Sequence, residues 1–333
     1  MSQAEHLLPT QTSPHLNEPG FSDPPRKPRL TLRGILGIIF TASLTFLIVV
    51  PILKFLTDPM AEFAHWHEAA ALEDYLEGDL SAAIEHINEA IELNPDDASL
   101  RRRRADYLEQ LAATRAPDEA ADRIEDFEAS LKDWNEAMRL AGENVADLRN
   151  RSNVLMKLGR YDAGIKDAQQ IAALSAQHSR AHASGLNGLA YFRAVANRDL
   201  DKADEEIRHA LRKLRSSNYD GRDAALVDTL GYIQYRRGDY KTALLTMNEA
   251  VAKIEAVYLA TFGPNGYAKH LLGEFNAVDE RELKIRKKEF AQSVAVIRYH
   301  RALVLKKLLQ SQQASEDLQR VEELGFRPGK DLF

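Results

Sequence analysis

The sequence predicts an all-α protein, a solenoid of helix–turn–helix units preceded by a disordered tail and one transmembrane helix. Three observations predict it. From about residue 62 onward Ala, Leu, Glu and Arg abound, β-branched runs are missing, and Gly or Pro marks the ends of segments, which is the texture of helices. Along that stretch a spacing of small, large and small residues at i, i+4 and i+7 returns again and again. Ahead of it lie 20 residues without a charge, from Gly34 to Leu53.

Residues 1–33 read as a disordered Pro-rich tail. Prolines fall at Pro9, Pro14, Pro19, Pro24, Pro25 and Pro28, with polar residues between them and no apolar period. Such a segment cannot bury enough surface to offset its chain entropy.

Residues 34–56 read as a transmembrane helix. An uncharged run of this length spans about 30 Å as a helix, the hydrocarbon thickness of a bilayer. It is apolar all round, so it lacks the polar face of a surface helix. The long tail before it, its length, and the lack of a small-x-small site soon after it argue against a cleaved signal peptide. Arg26, Lys27, Arg29 and Arg33 precede the run, whereas Lys54 and then Asp58, Glu62 and Glu68 follow it. Positive flanks stay inside, so the expectation is a cytoplasmic N-terminus and an extracytoplasmic body, periplasmic in a double-membraned bacterium.

The body, residues 62–333, repeats itself. The spacing occurs as Ala83, Ile87, Ala90; as Ser130, Trp134, Ala137; as Ala203, Ile207, Ala210; and as Ala243, Met247, Ala250. Looser copies are Gly164, Ala168, Ile171 and Ala314, Leu318, Val321. Their first members stand 47, 34, 39, 40 and 71 residues apart, a period near 34 with loop insertions. Small residues let two helices approach closely, and the large one fills the gap between successive units. One unit cannot bury its own apolar face, so units stack. Gly78-Asp79-Leu80, Gly159-Arg160-Tyr161 and Gly238-Asp239-Tyr240 each open five residues before the small residue of the second helix. Glycine ends the first helix, and the third residue plugs the turn. An insertion lies around 113–122, and residues 252–290 read as an extended loop or one unrecognisable repeat.

The copy Leu230-Gly231-Tyr232-Ile233-Gln234-Tyr235-Arg236-Arg237-Gly238-Asp239-Tyr240, running into Ala243, Met247 and Ala250, resembles the tetratricopeptide-repeat family. Asn94-Pro95 resembles the proline that separates repeats in that family, while Gly142 and Ala176 stand where later prolines are expected. The resemblance covers about two thirds of residues 62–326 and implies five to six repeats. It further implies a concave groove, lined by the first helix of each repeat, where extended peptides dock. By position in each copy the groove candidates are Arg102, Asp106, Arg149, Asn153, Met156, Asp228, Tyr232, Tyr235 and Arg236, with Tyr299 and Lys306 from the last repeat. Arg149 and Asn153 resemble the cation–asparagine pair that clamps a terminal carboxylate in chaperone-binding relatives. Arg101 to Arg104 point all round a helix, and the reading gives them Asp96, Asp97 and nearby acids as partners.

Other classes fall away. A net charge of −6, from 44 Lys+Arg and 50 Asp+Glu, offers no basic face for nucleic acid. Zero cysteines exclude disulfides, thiolate metal sites and catalytic thiols. His67-Glu68-Ala69-Ala70-Ala71 lacks the second histidine of a zinc helix. His178 and His182 have no third ligand in view, Ala183-Ser184-Gly185 is no nucleophile elbow, and the Gly263-Pro264-Asn265-Gly266 run is a plain turn. The expectation is no catalytic site, no metal, no cofactor and no enzyme. The function expected is a membrane-anchored scaffold or assembly adaptor that binds a protein or peptide in its groove. The alternatives are a self-associating membrane organiser, or an enzyme with acids converging in a pocket on the helical scaffold.

Overall fold

A computed structural model describes residues 58–176, 179–215, 223–263 and 280–326. The expected tail over 1–33 and spanning helix over 34–56 lie outside the described residues, as do His178 and most of the Gly263 turn. Among the described residues no helix is long and apolar enough to cross a membrane. The chain divides into two compact units, Met1–Pro59 and Met60–Phe333, and the second is the helical body.

Among the described residues twelve α-helices form six antiparallel pairs: α1 Pro59–Glu77 with α2 Leu80–Leu93, α3 Ala98–Thr114 with α4 Ala120–Ala141, α5 Val145–Lys157 with α6 Tyr161–Leu174, α7 Ser179–Ala196 with α8 Leu200–Arg215, α9 Ala224–Arg236 with α10 Tyr240–Phe262, and α11 Glu280–Lys307 with α12 Ser311–Glu323. The insertion around 113–122 becomes a 3-10 turn at Pro117–Glu119 that feeds the long helix α4. Of the expected loop or repeat over 252–290, residues 252–262 prolong α10 and 280–290 begin α11, while 264–279 lie outside the described residues.

The turns share one device. The amide five positions past a late carbonyl closes the helix end, from Asp79 to Asp74 at 2.9 Å, Arg160 to Leu155 at 2.8 Å and Asp239 to Gln234 at 3.0 Å. This closure needs a left-handed residue, and Gly78, Gly159 and Gly238 supply it at φ of 92, 68 and 83°. Two further turns make the same bond, from Arg198 to Arg193 and Gln310 to Leu305, with Asn197 and Leu309 at φ 54 and 59° in place of glycine. Asp79 and Asp239 then cap the next helix by accepting from Ala82 and Thr242.

The four strict small-large-small triads are all at most 1% exposed, so they are the close-packed crossings. Of the looser copies, Gly164, Ala168 and Ile171 are buried too. The last departs from expectation: Ala314 and Val321 are buried, but Leu318 is half-buried and Asp317 takes the inward place. That exchange belongs to a polar clasp built three times. Arg104 on α3 donates to Asn88 on α2 at 2.7 Å and to both oxygens of Asp133 on α4 at 2.6 and 2.7 Å. Arg151 on α5 joins Asn135 on α4 at 3.0 Å to Asp167 on α6 at 2.7 and 2.8 Å. Arg301 on α11 joins Asn248 on α10 at 3.2 Å to Asp317 on α12 at 2.7 and 2.6 Å. Each clasp ties one pair to the second helix of the pair before it. Forked guanidinium geometry satisfies carboxylates that are almost fully buried.

Candidate functional site

The odd-numbered helices form a common wall. Tyr191 of α7 lies 5.7 Å from Tyr232 of α9, whose ring stacks 4.6 Å from His300 of α11. Three clusters line this wall.

The first is a pocket of about 250 Å³ where α5, α6 and α7 meet. Arg149, Ser152, Asn153, Ser184, Asn187 and Tyr191 supply its polar lining, and it contains no carboxylate. Arg149 is exposed and makes no ion pair with any described residue, unlike the paired arginines around it. Asn153 is half-buried. The Asn187 Oδ1 is buried and has no hydrogen-bond partner among the described residues. An unmet buried acceptor costs about 1–3 kcal/mol. Backbone builds part of the space: a Cβ on Gly185 would stand 3.0 Å from the Ala172 Cα, whereas Gly188 has nothing within 4 Å. Asn187, Ser184 and Tyr191 were not read from the sequence, although Asn187 follows Asn153 by 34 residues, the period itself.

The second cluster is aromatic. Tyr232 and Tyr235 are half-buried and stack on each other at 5.8 Å and 27°. Arg236 lies 6.0 Å from the Tyr232 ring, and its Nη1 donates to the Tyr232 hydroxyl at 3.4 Å. Tyr299 is half-buried with its ring 6.4 Å from His300. Asp228 does not extend this face as an open acceptor. It is 5% exposed, and its carboxylate accepts from the buried His300 Nδ1 at 2.9 Å. The far nitrogen, Nε2, stands 3.4 Å from the Tyr191 hydroxyl. Burial first, then the Asp228 charge, pushes the Tyr191 hydroxyl well above the usual phenol range, so it stays protonated. This chain of groups binds α7, α9 and α11 together, and Tyr191 carries it to the edge of the first pocket.

The third cluster lies nearer the start of the body, an opening of about 480 Å³ bordered by Tyr75, Arg102, Arg103, Asp106, Tyr107 and Asn150 among others. Arg102 is not a free groove cation: it grips Asp147 with bonds of 2.8, 3.0 and 2.8 Å. Its three neighbours are engaged too, Arg101 and Arg104 with Asp133 and Arg103 with Glu68. The partners are therefore on other helices, not Asp96 and Asp97. Asp106 has no hydrogen bond or ion pair with a described residue, and its carboxyl is pushed up to about 6 by burial first and the Glu109 charge next. The residue as a whole is nonetheless exposed, so its penalty is partly screened by water.

Among the described residues no group of three or more His, Asp or Glu is placed to hold a metal ion. His182 Nδ1 bonds the Ala172 carbonyl at 2.9 Å, a packing contact between α6 and α7.

These features define an all-α array of paired helices with polar and aromatic surface along one wall. No family model matches the sequence, and no curated protein matches it. Among solved structures it is similar to MamA, residues 41 to the end, from Desulfovibrio magneticus RS-1, with a TM-score of 0.46, 15% identity, and 59% of this chain and 98% of that one covered. It is similar also to a tetratricopeptide repeat protein from Parabacteroides merdae ATCC 43184, with a TM-score of 0.47, 13% identity and coverage of 80% and 94%. The apo form of RapI gives a TM-score of 0.44, 12% identity and coverage of 78% and 99%. None of these likenesses is close enough to place the chain in a family.

Proposed function

We propose that this chain is a membrane-anchored scaffold whose wall of odd-numbered helices receives an extended segment of a partner protein. The observation that carries the reading is the Asn187 Oδ1, an unmet acceptor in a pocket that also holds the unpaired Arg149 and the amide of Asn153. An extended peptide offers backbone N–H groups to such an acceptor and carbonyl or carboxylate oxygens to the donors. The stacked Tyr232 and Tyr235 with Arg236 add flat apolar area and a cation further along, the residue types that dominate recognition surfaces. The uncharged run over 34–53 supports a membrane anchor, and its flanking charges support a cytoplasmic N-terminus with the helical body outside. The absence of carboxylates from the 250 Å³ pocket weighs against an acid-pair enzyme at that place.

The test is crosslinking in membranes with quantification of captured proteins. Asn187→Ala with Arg149→Ala is expected to lower capture at unchanged abundance and helix content, and undiminished capture would move recognition away from this pocket.

A further inference from the structure

The 480 Å³ opening between α1, α3 and α5 carries a charge that nothing around it balances. Arg102 is tied to Asp147 of α5 at 2.8 Å, and Arg103 to Glu68 of α1 at 2.8 Å. Glu109 is matched by Lys157 of α5 at 3.3 Å. Pair by pair these charges cancel, and Asp106 is left over. It stands one helical turn from both Arg102 and Arg103, yet each of them is drawn to another helix, and Asp106 has no hydrogen bond or ion pair with a described residue. Burial and the Glu109 charge push its carboxyl up to about 6, which a carboxylate fully served by water would not show. A second group at the opening is unmet as well. Tyr107 is 4% exposed, and its hydroxyl is buried without a hydrogen-bond partner among the described residues. Burial, offset in part by Arg103 nearby, holds that hydroxyl above the usual phenol range, so it keeps its proton and has a lone pair to offer too. Apolar surface adjoins both groups. The Tyr75 ring stacks on Tyr107 at 4.9 Å and 16°, and Leu72 is 41% exposed at the rim.

We propose that this opening receives a basic side chain of the partner segment, a lysine or arginine whose charged end pairs with Asp106 while its methylene stem lies along Leu72 and Tyr75. The inference rests on the reading of the wall as a peptide-binding surface and deepens it by naming the residue class that one subsite takes. Charge complementarity selects the occupant: a neutral side chain leaves Asp106 unpaired, and an acidic one meets a like charge. The stem of a long basic side chain covers apolar surface while its head stays polar, which suits an opening with Leu72 and Tyr75 beside an acid. The Tyr107 oxygen can accept an N–H from the same head, and its proton can go to a carbonyl of the segment. The 250 Å³ pocket lies next along the wall and shares α5 with this opening, Asn150 bordering the one and Arg149 with Asn153 lining the other. A segment that crosses α5 therefore presents a base to Asp106 on one side and an oxygen acceptor to Arg149 on the other.

The test incubates the immobilised full chain, in detergent micelles at pH 7, with a randomised library of acetylated and amidated peptides about ten residues long, and sequences what is retained. Lysine and arginine are expected to be enriched about threefold or more over the input, the scale of an ion pair partly screened by water. Asp106→Asn, with helix content checked by circular dichroism, should lose that enrichment. For wild type at pH 5 the Asp106 carboxyl is mostly protonated, so its enrichment should fall toward that of the variant. The pairs Arg102 with Asp147, Arg103 with Glu68 and Glu109 with Lys157 are present in both proteins, so the difference between the two isolates Asp106. Peptides retained with the same basic content by wild type and Asp106→Asn overturn the subsite and leave the peptide-binding reading standing. Enrichment of acidic residues by wild type also overturns the subsite, because the cation facing the segment would then be Arg102 or Arg103. Retention no greater than on blank resin overturns the subsite and the peptide-binding reading together.

Discussion

Single side chains decide how tightly successive pairs are joined. The Asp133 carboxylate is 1% exposed and receives two bonds from Arg104, which also reaches Asn88. Removing one partner of such a pair leaves the other buried and unmatched, which costs about 3–5 kcal/mol. Asp133→Ala is therefore expected to lower the urea midpoint strongly, while Asp96→Ala, at an exposed turn, leaves it within error. Asp106 gives a pH-dependent counterpart. Its folded-state carboxyl titrates at about 6, above the ordinary aspartate value, so the folded state holds that proton more tightly than the unfolded chain does. Stability from this group is fully present below the ordinary value and is lost as pH rises through about 6. Asp106→Asn should thus be neutral near pH 4 and stabilising at pH 7, by about 1 kcal/mol or less once its exposure is allowed for. Chemical denaturation of both proteins across that range measures the difference, and a gain that grows toward acid would reverse the assignment.

At the scale of elements, the crossings were legible and the clasps were not. The triads Ala83, Ile87, Ala90 and Ala243, Met247, Ala250 announce themselves because close approach tolerates few residue types. The Asn–Arg–Asp clasp has a register too, with asparagine five residues after one small residue and aspartate three after the next. It does not announce itself, because arginine and aspartate are usually solvated and a charge run reads as surface. Asp228 reads as an open groove acceptor for a related reason: its buried partner, His300, is 72 residues away and no local pattern joins them. The turns at Asn197 and Leu309 were unreadable because they lack the glycine that flags the others. Two glycines on α7 test the packing directly. Gly185→Ala would press a methyl against the Ala172 backbone, and overpacking of this kind costs about 1–3 kcal/mol. Gly188→Ala meets open space and gains helix propensity, so a stabilisation of about 0.5–1 kcal/mol is expected. Thermal melts of the two variants should move in opposite directions; a shared direction would mean that α6 and α7 are not in this contact.

For the whole molecule, stability and placement follow from continuity along the chain. One apolar core runs from Met156 on α5 to Ile297 on α11, a second from Ala105 to Ile171, and a third from Ala64 to Tyr107. Adjacent cores share helices, α3 in one case and both α5 and α6 in the other, so a defect in one pair is felt by its neighbours more than by distant ones. An array of this kind works as a platform only on the side of the membrane where its partner is. Under the anchor proposed above, that side would be set before the body begins, by Arg26, Lys27, Arg29 and Arg33 ahead of the uncharged run and the single Lys54 close behind it. Basic residues are retained on the cytoplasmic side, and a body of this size follows wherever the first span directs it. Alkaline phosphatase, which is active only after export, gives the readout. Fused after Phe333 it should be active, and fused after Leu30 it should be inactive. Replacing Arg26, Lys27, Arg29 and Arg33 by Asn should then reduce the activity of the Phe333 fusion, because the bias that orients the span has been removed. The opposite pattern in the two parent fusions would place the helical body in the cytoplasm and redirect the search for its partner there.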